Sequence, residues 1–548
     1  MPQITINGRK LDFTPGQTIL QVALDHDIEI PHYCYHPGLS IPANCRICLA
    51  EIWAPNPRNN NALEPIPKLM PTCQTAAGDG QVVSTQSPKA VANQKAVMEF
   101  LLINHPVDCP VCDQAGECYL QDYSYQYGRS ASRFQEAKNK QPKKDVGPHV
   151  LLYSDRCIMC TRCVRFTREV TGTGELIVEG RGSTAQIDVF PGRALDNELS
   201  GNVVDICPVG ALLDKDFLFT QRVWFLKRAA SIDGLTASGD NLWVEHHEGK
   251  VYRVKPRTNL DVNKWWITDE VRYGWKFVHG PRRLTLPRVK GRAPFEESAA
   301  REAWMAGYGA MKARLDSVRS QGKGVALMVS PMLSCEEAYL LGSLTLSIDP
   351  DAVMGVGPVP VMGEDRTFPG GFTMYAEKAP NARGVRRVLS QLTDTAHEYE
   401  GFLKAIGSSG AVILTGNYPS DWVTPALIDA LKGKTIILLD TLETALVNIA
   451  DVVLPGATWM EKSGTFENVK GRLQAFERAI EPIDFCKSEA QIALDMMALR
   501  AGEPGAAYDA PAVRRTMADA LGLTEFTADL HVPSPEAPVE PDMVMVEL

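Results

Sequence analysis

Residues 4–13, Ile-Thr-Ile-Asn-Gly-Arg-Lys-Leu-Asp-Phe, read as two alternating strands about an Asn7-Gly8 pair. Alternation with period two marks strand, and Asn-Gly supplies the positive φ angles of a tight turn, so the stretch predicts a β-hairpin. Pro15-Gly16 breaks that pattern, and Ile19, Leu20, Ala23 and Leu24 then recur at helical spacing. A second helix is predicted from Ser87-Pro88, which has N-cap and first-turn chemistry; its apolar positions include Val91, Val97, Met98, Leu101 and Leu102. Leu242-Trp-Val-Glu and Val251-Tyr-Arg-Val alternate again and predict a small β unit over 226–278. Further on, the apolar runs Val325-Ala-Leu-Met-Val and Thr435-Ile-Ile-Leu-Leu interleave with helical stretches around 336–346 and 424–431. That rhythm implies α/β layers with buried parallel strands over 279–531. No Gly-x-Gly-x-x-Gly follows a strand there, and no Walker-type loop occurs in the chain.

Composition narrows the class. The 548 residues suffice for several domains, and no run approaches eighteen apolar residues, so a membrane span is not expected. A net charge of -10 argues against nucleic acid as a general partner, because phosphate binding needs a basic face. The opening Met-Pro-Gln-Ile has neither a signal-peptide core nor an Arg-rich transit segment, which leads us to expect a cytosolic or mature organellar chain. Residues 128–148 are polar and basic and read as a solvated linker. The stretch 532–548, rich in Pro and Glu, reads as an extended or disordered tail.

The cysteines change the picture. Eleven of 13 lie between Cys34 and Cys207, and in a reducing compartment such a concentration favours metal over disulfides. Cys157, Cys160 and Cys163 form a C-x2-C-x2-C run completed by Cys207, which Pro208 follows. In two-cluster ferredoxins such a triplet and a remote Cys-Pro hold one [4Fe-4S] cluster. The second cluster's ligand positions fall here on Thr167, Asn197, Ser200 and Val203, so the module over 149–225 reads as a bacterial-ferredoxin-like fold reduced to one cluster. Over 81–127 the predicted helix delivers His105, followed by Cys109, Cys112 and Cys118, a set of one imidazole and three thiolates able to hold a second [4Fe-4S] cluster. Over 1–80, the hairpin and helix precede Cys34, Cys45, Cys48 and Cys73, an arrangement that looks like a plant-type [2Fe-2S] ferredoxin domain of α+β type, with a first gap six residues longer than usual. Structural zinc is the competing reading of all three sets.

Three cluster motifs in this order, with the x10 gap from Cys34 to Cys45 and the ligand His105, resemble the large iron-sulfur subunit of NADH-quinone oxidoreductase, respiratory complex I, the 75 kDa or G-type subunit. Asn263-Lys-Trp-Trp-Ile-Thr-Asp-Glu-Val-Arg, Ala450-Asp-Val-Val-Leu-Pro-Gly and Glu461-Lys-Ser-Gly-Thr-Phe-Glu-Asn-Val-Lys-Gly-Arg extend the likeness. The last two are also similar to the molybdopterin oxidoreductases. The resemblance implies one [2Fe-2S] and two [4Fe-4S] clusters on the twelve residues named above, and electron transfer as part of an NADH dehydrogenase without a catalytic site of this chain's own. It implies as partners a flavin- and NADH-binding subunit and other hydrophilic iron-sulfur subunits, with a membrane arm reached indirectly. It places the chain peripherally on the cytoplasmic face of a bacterial inner membrane or on the matrix side of a mitochondrial one.

Two departures qualify it. The window 229–274 holds no Cys, so no further cluster is expected there. The C-terminal α/β domain looks short for a molybdopterin oxidoreductase, and Cys335 and Cys486 read as buried small hydrophobes, so no molybdopterin is expected. A subunit of an NAD-linked formate dehydrogenase or hydrogenase, or a non-redox zinc scaffold, are the rival functions.

Overall fold

The computed structural model describes residues 1–393 and 395–533. The chain divides into two units: one comprises 1–226 with 368–372, the other begins at 227. The expected tail lies almost wholly outside the described residues, which end at 533.

In the first unit the strands Gln3–Ile6 and Arg9–Asp12 pair antiparallel, and Asn7 and Gly8 between them both take positive φ, 48° and 82°. The sheet runs Arg9–Asp12, Gln3–Ile6, Val82–Ser84, Leu49–Asn56, Ala62–Pro65, with Gln3–Ile6 parallel to Val82–Ser84. Helix Ile19–Asp25 starts at Thr18, whose hydroxyl accepts from the Gln21 N–H while the Gln21 side chain returns to the Thr18 N–H. Its apolar face closes a core with Ile4, Ile6, Leu11 and Ile52, and Cys48 and Cys73 sit in that core.

Helix Pro88–Leu102 is capped by Ser87, as its sequence predicts, and ends three residues before His105. Its carbonyl end is closed by Lys138, whose ammonium donates to the carbonyls of Leu102, Ile103 and His105 (2.8, 3.2 and 2.7 Å). A cation there meets both the unpaired carbonyls and the negative end of the helix dipole. Arg133 likewise pairs with Glu99 of that helix, and Lys143–Asp145 forms a strand beside Val150–Tyr153. The basic stretch 128–148 is therefore tied to the fold rather than solvated throughout.

The second unit opens with an antiparallel meander, Lys227–Ile232, Asn241–His247 and Lys250–Pro256. Then comes a seven-stranded sheet in the order Arg288–Val289, Val452–Pro455, Thr435–Asp440, Ser409–Thr415, Gly324–Val329, Val353–Val356, Ala396–His397, parallel except for the Arg288–Val289 edge. Its six parallel strands stand in the doubly wound order 3-2-1-4-5-6. Successive side chains of the central strand face opposite layers. Val325, Leu327 and Val329 pack with helices Ala300–Ser320 and Cys335–Ile348, and Ala326 and Met328 with Phe402, Leu427 and Leu431. Burial on both faces is why these strands read as unbroken apolar runs.

Candidate metal centres

The first set of thiols gathers at one end of the small sheet. Cys34 and Cys73 are wholly buried, Cys48 nearly so, and Cys48 Sγ lies 3.6 Å from Cys73 Sγ. Two thiolates on one tetrahedral metal with bonds of about 2.3 Å lie about 3.7 Å apart, so this pair fits a shared iron. The Cys34, Cys45 and Cys73 thiols hydrogen-bond to one another, which holds Cys34 below its ordinary range and pushes Cys45 and Cys73 above theirs, so the set stabilises one thiolate among them. A thiolate stabilised by its neighbours is the form that binds metal. The loop folds back through two non-glycine residues with left-handed backbone, Ala43 and Arg46, which flank Cys45.

The third set lines one cavity. Cys157, Cys160, Cys163 and Cys207 face a small apolar space walled by Leu152, Ile158, Ile187, Val209, Ala211 and Leu212, with Arg162 beside them. Met159 and Thr161, at φ 56° and 60°, flank Cys160, and the Met159 N–H donates to Cys157 Sγ (3.3 Å). Burial pushes the Cys160 thiol up to about 11, with the Arg162 and Arg165 cations opposing. Thr167, Ser200 and Val203 are wholly buried and Asn197 nearly so. Asn197 donates to Glu175 (3.0 Å), which Thr173 also reaches (2.5 Å). A hydrogen-bonded polar network thus includes one of the positions that a second cluster's ligands would take.

The second set is built from a turn and a helix start. Cys109 and Cys112 share one 3-10 turn, Cys112 N–H donating to the Cys109 carbonyl, and Cys118 is the N-cap of helix Tyr119–Tyr127. Burial pushes His105 down to about 4, Asp108 opposing and Arg156 and Lys138 assisting, so its imidazole is neutral at pH 7, as a metal ligand must be. Arg156 is buried and makes two hydrogen bonds to the Asp108 carboxylate (3.0 and 2.6 Å). That pair joins the residue before Cys157 to the residue before Cys109.

Among the described residues no three His, Cys, Asp or Glu side chains converge on a single ion-sized point. The four thiols of the third set instead line one cavity, an arrangement compatible with a polynuclear cluster whose thiolates each take a separate iron.

Sequence reading missed the arginines around these sets. Arg162 and Arg165 stand three residues apart amid buried Cys163, Val164 and Phe166, and two buried cations in an apolar turn are the signal that could have found them.

Family models match along most of the chain. They are a 2Fe-2S iron-sulfur cluster binding domain over residues 2–88, the NADH-ubiquinone oxidoreductase-G iron-sulfur binding region over 94–133, and the NADH-quinone oxidoreductase subunit 3 ferredoxin-like domain over 147–213. The G-type subunit of NADH-quinone oxidoreductase from Rickettsia felis is 28% identical over 599 aligned residues, covering 90% of this chain and 86% of that one. The mitochondrial 78 kDa subunit of NADH-ubiquinone oxidoreductase from Neurospora crassa is 42% identical over 299 residues, 54% of this chain and 39% of that one. The chain is thus similar to G-type subunits along most of its length. Its match spans only about two fifths of the length of the Neurospora protein, while it spans most of the rickettsial one.

Two further matches bear on the second unit of this chain. A 4Fe-4S domain of NDSU1/NuoG-like type matches 226–276, yet no Cys lies between Cys207 and Cys335, so the meander keeps the frame without thiolates. The molybdopterin oxidoreductase model matches 381–498. In a doubly wound sheet a ligand sits at the carboxyl ends of the strands where the order reverses, here between Gly324–Val329 and Ser409–Thr415. Those ends are filled from within. The Ser330 N–H donates to Thr415 Oγ1 (2.7 Å). Tyr418, 2% exposed, donates to the Pro358 carbonyl (2.7 Å) and stacks on Trp422 at 5.3 Å, and Trp422 donates to Asp440 (3.1 Å). A chain from the structure of an NAD+-reducing [NiFe]-hydrogenase is 30% identical over 40% of this chain and 91% of its own, with a TM-score of 0.35.

Proposed function

We propose that this chain is an electron-transfer subunit of an NADH-quinone oxidoreductase, with one [2Fe-2S] cluster on Cys34, Cys45, Cys48 and Cys73, one [4Fe-4S] cluster on His105, Cys109, Cys112 and Cys118, and another on Cys157, Cys160, Cys163 and Cys207. Bound clusters supply one-electron chemistry; the chain fixes their spacing and tunes them through burial, hydrogen bonds and charge. The observation that carries this reading is the packing of three donor sets in one unit, with the Cys157 set in the middle. Its loops reach the first set through Arg165, which donates to the Cys34 and Cys160 carbonyls (2.6 and 3.4 Å), and the second through the Arg156–Asp108 pair. That placement supports transfer in the spatial order first, third, second rather than in chain order.

As its partners we propose a flavin- and NADH-binding subunit on one side and a further iron-sulfur subunit on the other, with peripheral attachment to the membrane. Among the described residues no helix is long and apolar enough to cross one. The filled crevice around Tyr418 supports a second unit without molybdopterin and disfavours the formate dehydrogenase reading.

Metal analysis with paramagnetic resonance on anaerobically purified, reduced protein tests the proposal. We expect about 10 iron per chain and three signals, and Cys160→Ala should remove one [4Fe-4S] signal while sparing the [2Fe-2S] one. Stoichiometric zinc with little iron, or stoichiometric molybdenum, overturns it.

A further inference from the structure

Two buried guanidinium groups occupy the junction between the first and third donor sets. Arg162 is 5% exposed and donates to the Tyr35 carbonyl (2.5 Å) and the Ile206 carbonyl (3.2 Å), the neighbours in sequence of Cys34 and Cys207. Arg165 is 9% exposed and donates to the carbonyls of Ser40 (2.5 Å), Cys34 (2.6 Å) and Cys160 (3.4 Å). Each arginine thus ties a ligand loop of one set to a ligand loop of the other, across more than 120 residues of chain.

Their charge is the unusual part. Among the described residues neither comes within ion-pair distance of a carboxylate, whereas Arg156 at the other junction pairs with Asp108. The carboxylate of Glu169, on the same turn, is taken by the N–H and hydroxyl of Ser40 (2.8 and 2.5 Å). Carbonyl oxygens accept from both guanidinium groups, with Arg162 Nε left without a partner, but they do not neutralise the charge. A buried cation without a counter-ion costs several kcal/mol; beside Arg165 the nearest sources of negative charge are the Cys160 and Cys34 thiols of the donor sets, ahead of the more distant Glu169 carboxylate. A cluster held by four thiolates is anionic in both oxidation states.

Resting on the function proposed above, we propose that Arg162 and Arg165 are positioning residues for transfer between the [2Fe-2S] and the Cys157 [4Fe-4S] centres. They fix the spacing of the two ligand loops, and their unpaired positive charges raise the potentials of both centres together. An electron added to either centre increases the negative charge beside two low-dielectric cations, which favours reduction. The Arg156–Asp108 junction, being neutral, gives the His105 centre no such bias.

The test is a redox titration of the purified full chain, followed by paramagnetic resonance, for wild type, Arg162→Gln, Arg165→Gln and the corresponding Lys variants. The wild-type signals come first: if they are missing, the function proposed above fails before this inference is reached. In each Gln variant we expect the reduction equilibria of the [2Fe-2S] and Cys157 centres to fall about tenfold, 59 mV for one electron, with the His105 centre shifted far less. Magnetic coupling between the two affected centres should weaken as their spacing loosens. Lys, which restores charge without the planar fork, should return the potentials toward wild type while the coupling stays weakened. Unmoved midpoints in the Gln variants, or Lys variants that titrate like Gln, overturn the inference. Should the Gln variants fail to hold clusters, the Lys variants decide: clusters at wild-type potentials support it, and loss of clusters there too refutes the role of charge.

Discussion

Gly210 faces Cys112: a Cβ built on Gly210 would lie 2.3 Å from the Cys112 Sγ. Gly210 follows Cys207-Pro208-Val209, so the loop that closes the third set presses its backbone on a thiol of the second. A free cysteine could turn aside, but one held by iron cannot. We therefore expect Gly210→Ala to lose the His105 cluster, lowering iron by about four per chain, while the [2Fe-2S] signal stays. Unchanged iron and signals would show that Cys112 is not fixed by metal.

Lys462 lies in the second unit with its ammonium 2.8 Å from both Glu337 and Glu489, all three side chains at most 2% exposed. Burial holds the Glu489 carboxyl well above its ordinary range, so removing the cation leaves the Glu337 carboxylate uncompensated in low dielectric. Lys462→Met should cost about 3–5 kcal/mol, read as a lowered denaturation midpoint. Adding Glu337→Gln should recover part of it. A double variant no better than the single one would mean that packing, not charge, is what Lys462 supplies.

Asp440 gives the second unit a pH dependence of definite sign. Burial pushes its carboxyl up to about 6, against hydrogen bonds from Asn417, Trp422 and Thr441. Because the native group holds its proton more tightly than an unfolded aspartate with a value near ~4, its contribution is full below that value and is lost as pH rises through 6. The decline should approach ~1.4 kcal/mol per pH unit between the two. Denaturant titrations of wild type and Asp440→Asn from pH 4.5 to 7.5 should converge on a flatter profile in the variant. A difference between them that does not vary with pH would refute the assignment.

Cys335 is wholly buried at the start of its helix, its Sγ 3.6 Å from Asn381 Oδ1, and burial holds the thiol well above its ordinary value. It should resist alkylation in the native protein, and Cys335→Ala should leave the metal content as in wild type. Rapid labelling under native conditions would show an accessible thiol instead.

The grouping of Cys157, Cys160, Cys163 and Cys207 about one cavity was legible because a triplet spaced by two residues can only wrap a small object. The sheet of the second unit was legible in its apolar runs, which burial on both faces requires. The strand order was not, since runs such as Val325–Val329 carry no mark of their neighbours. Nor were the loops' left-handed turns, which fall on Met159, Thr161, Ala43 and Arg46 rather than on glycine. The arginine ties escaped notice for a related reason: Arg162 and Tyr35 are 127 positions apart and meet through a backbone carbonyl, which any residue supplies.

The side chain of Tyr418 turns a crevice into solid protein. Gly357 makes room for it, since a Cβ there would stand 2.8 Å from the phenol oxygen. A ligand cleft closed by one aromatic ring is a mould of that ring. Truncating it to alanine would cost about 3–5 kcal/mol and leave a hollow the shape of a phenol, with the Pro358 carbonyl ready to accept its hydroxyl. The second unit would then become a receptor for a small molecule, and the stability that phenol restored would report how much of this domain's cohesion depends on that one ring.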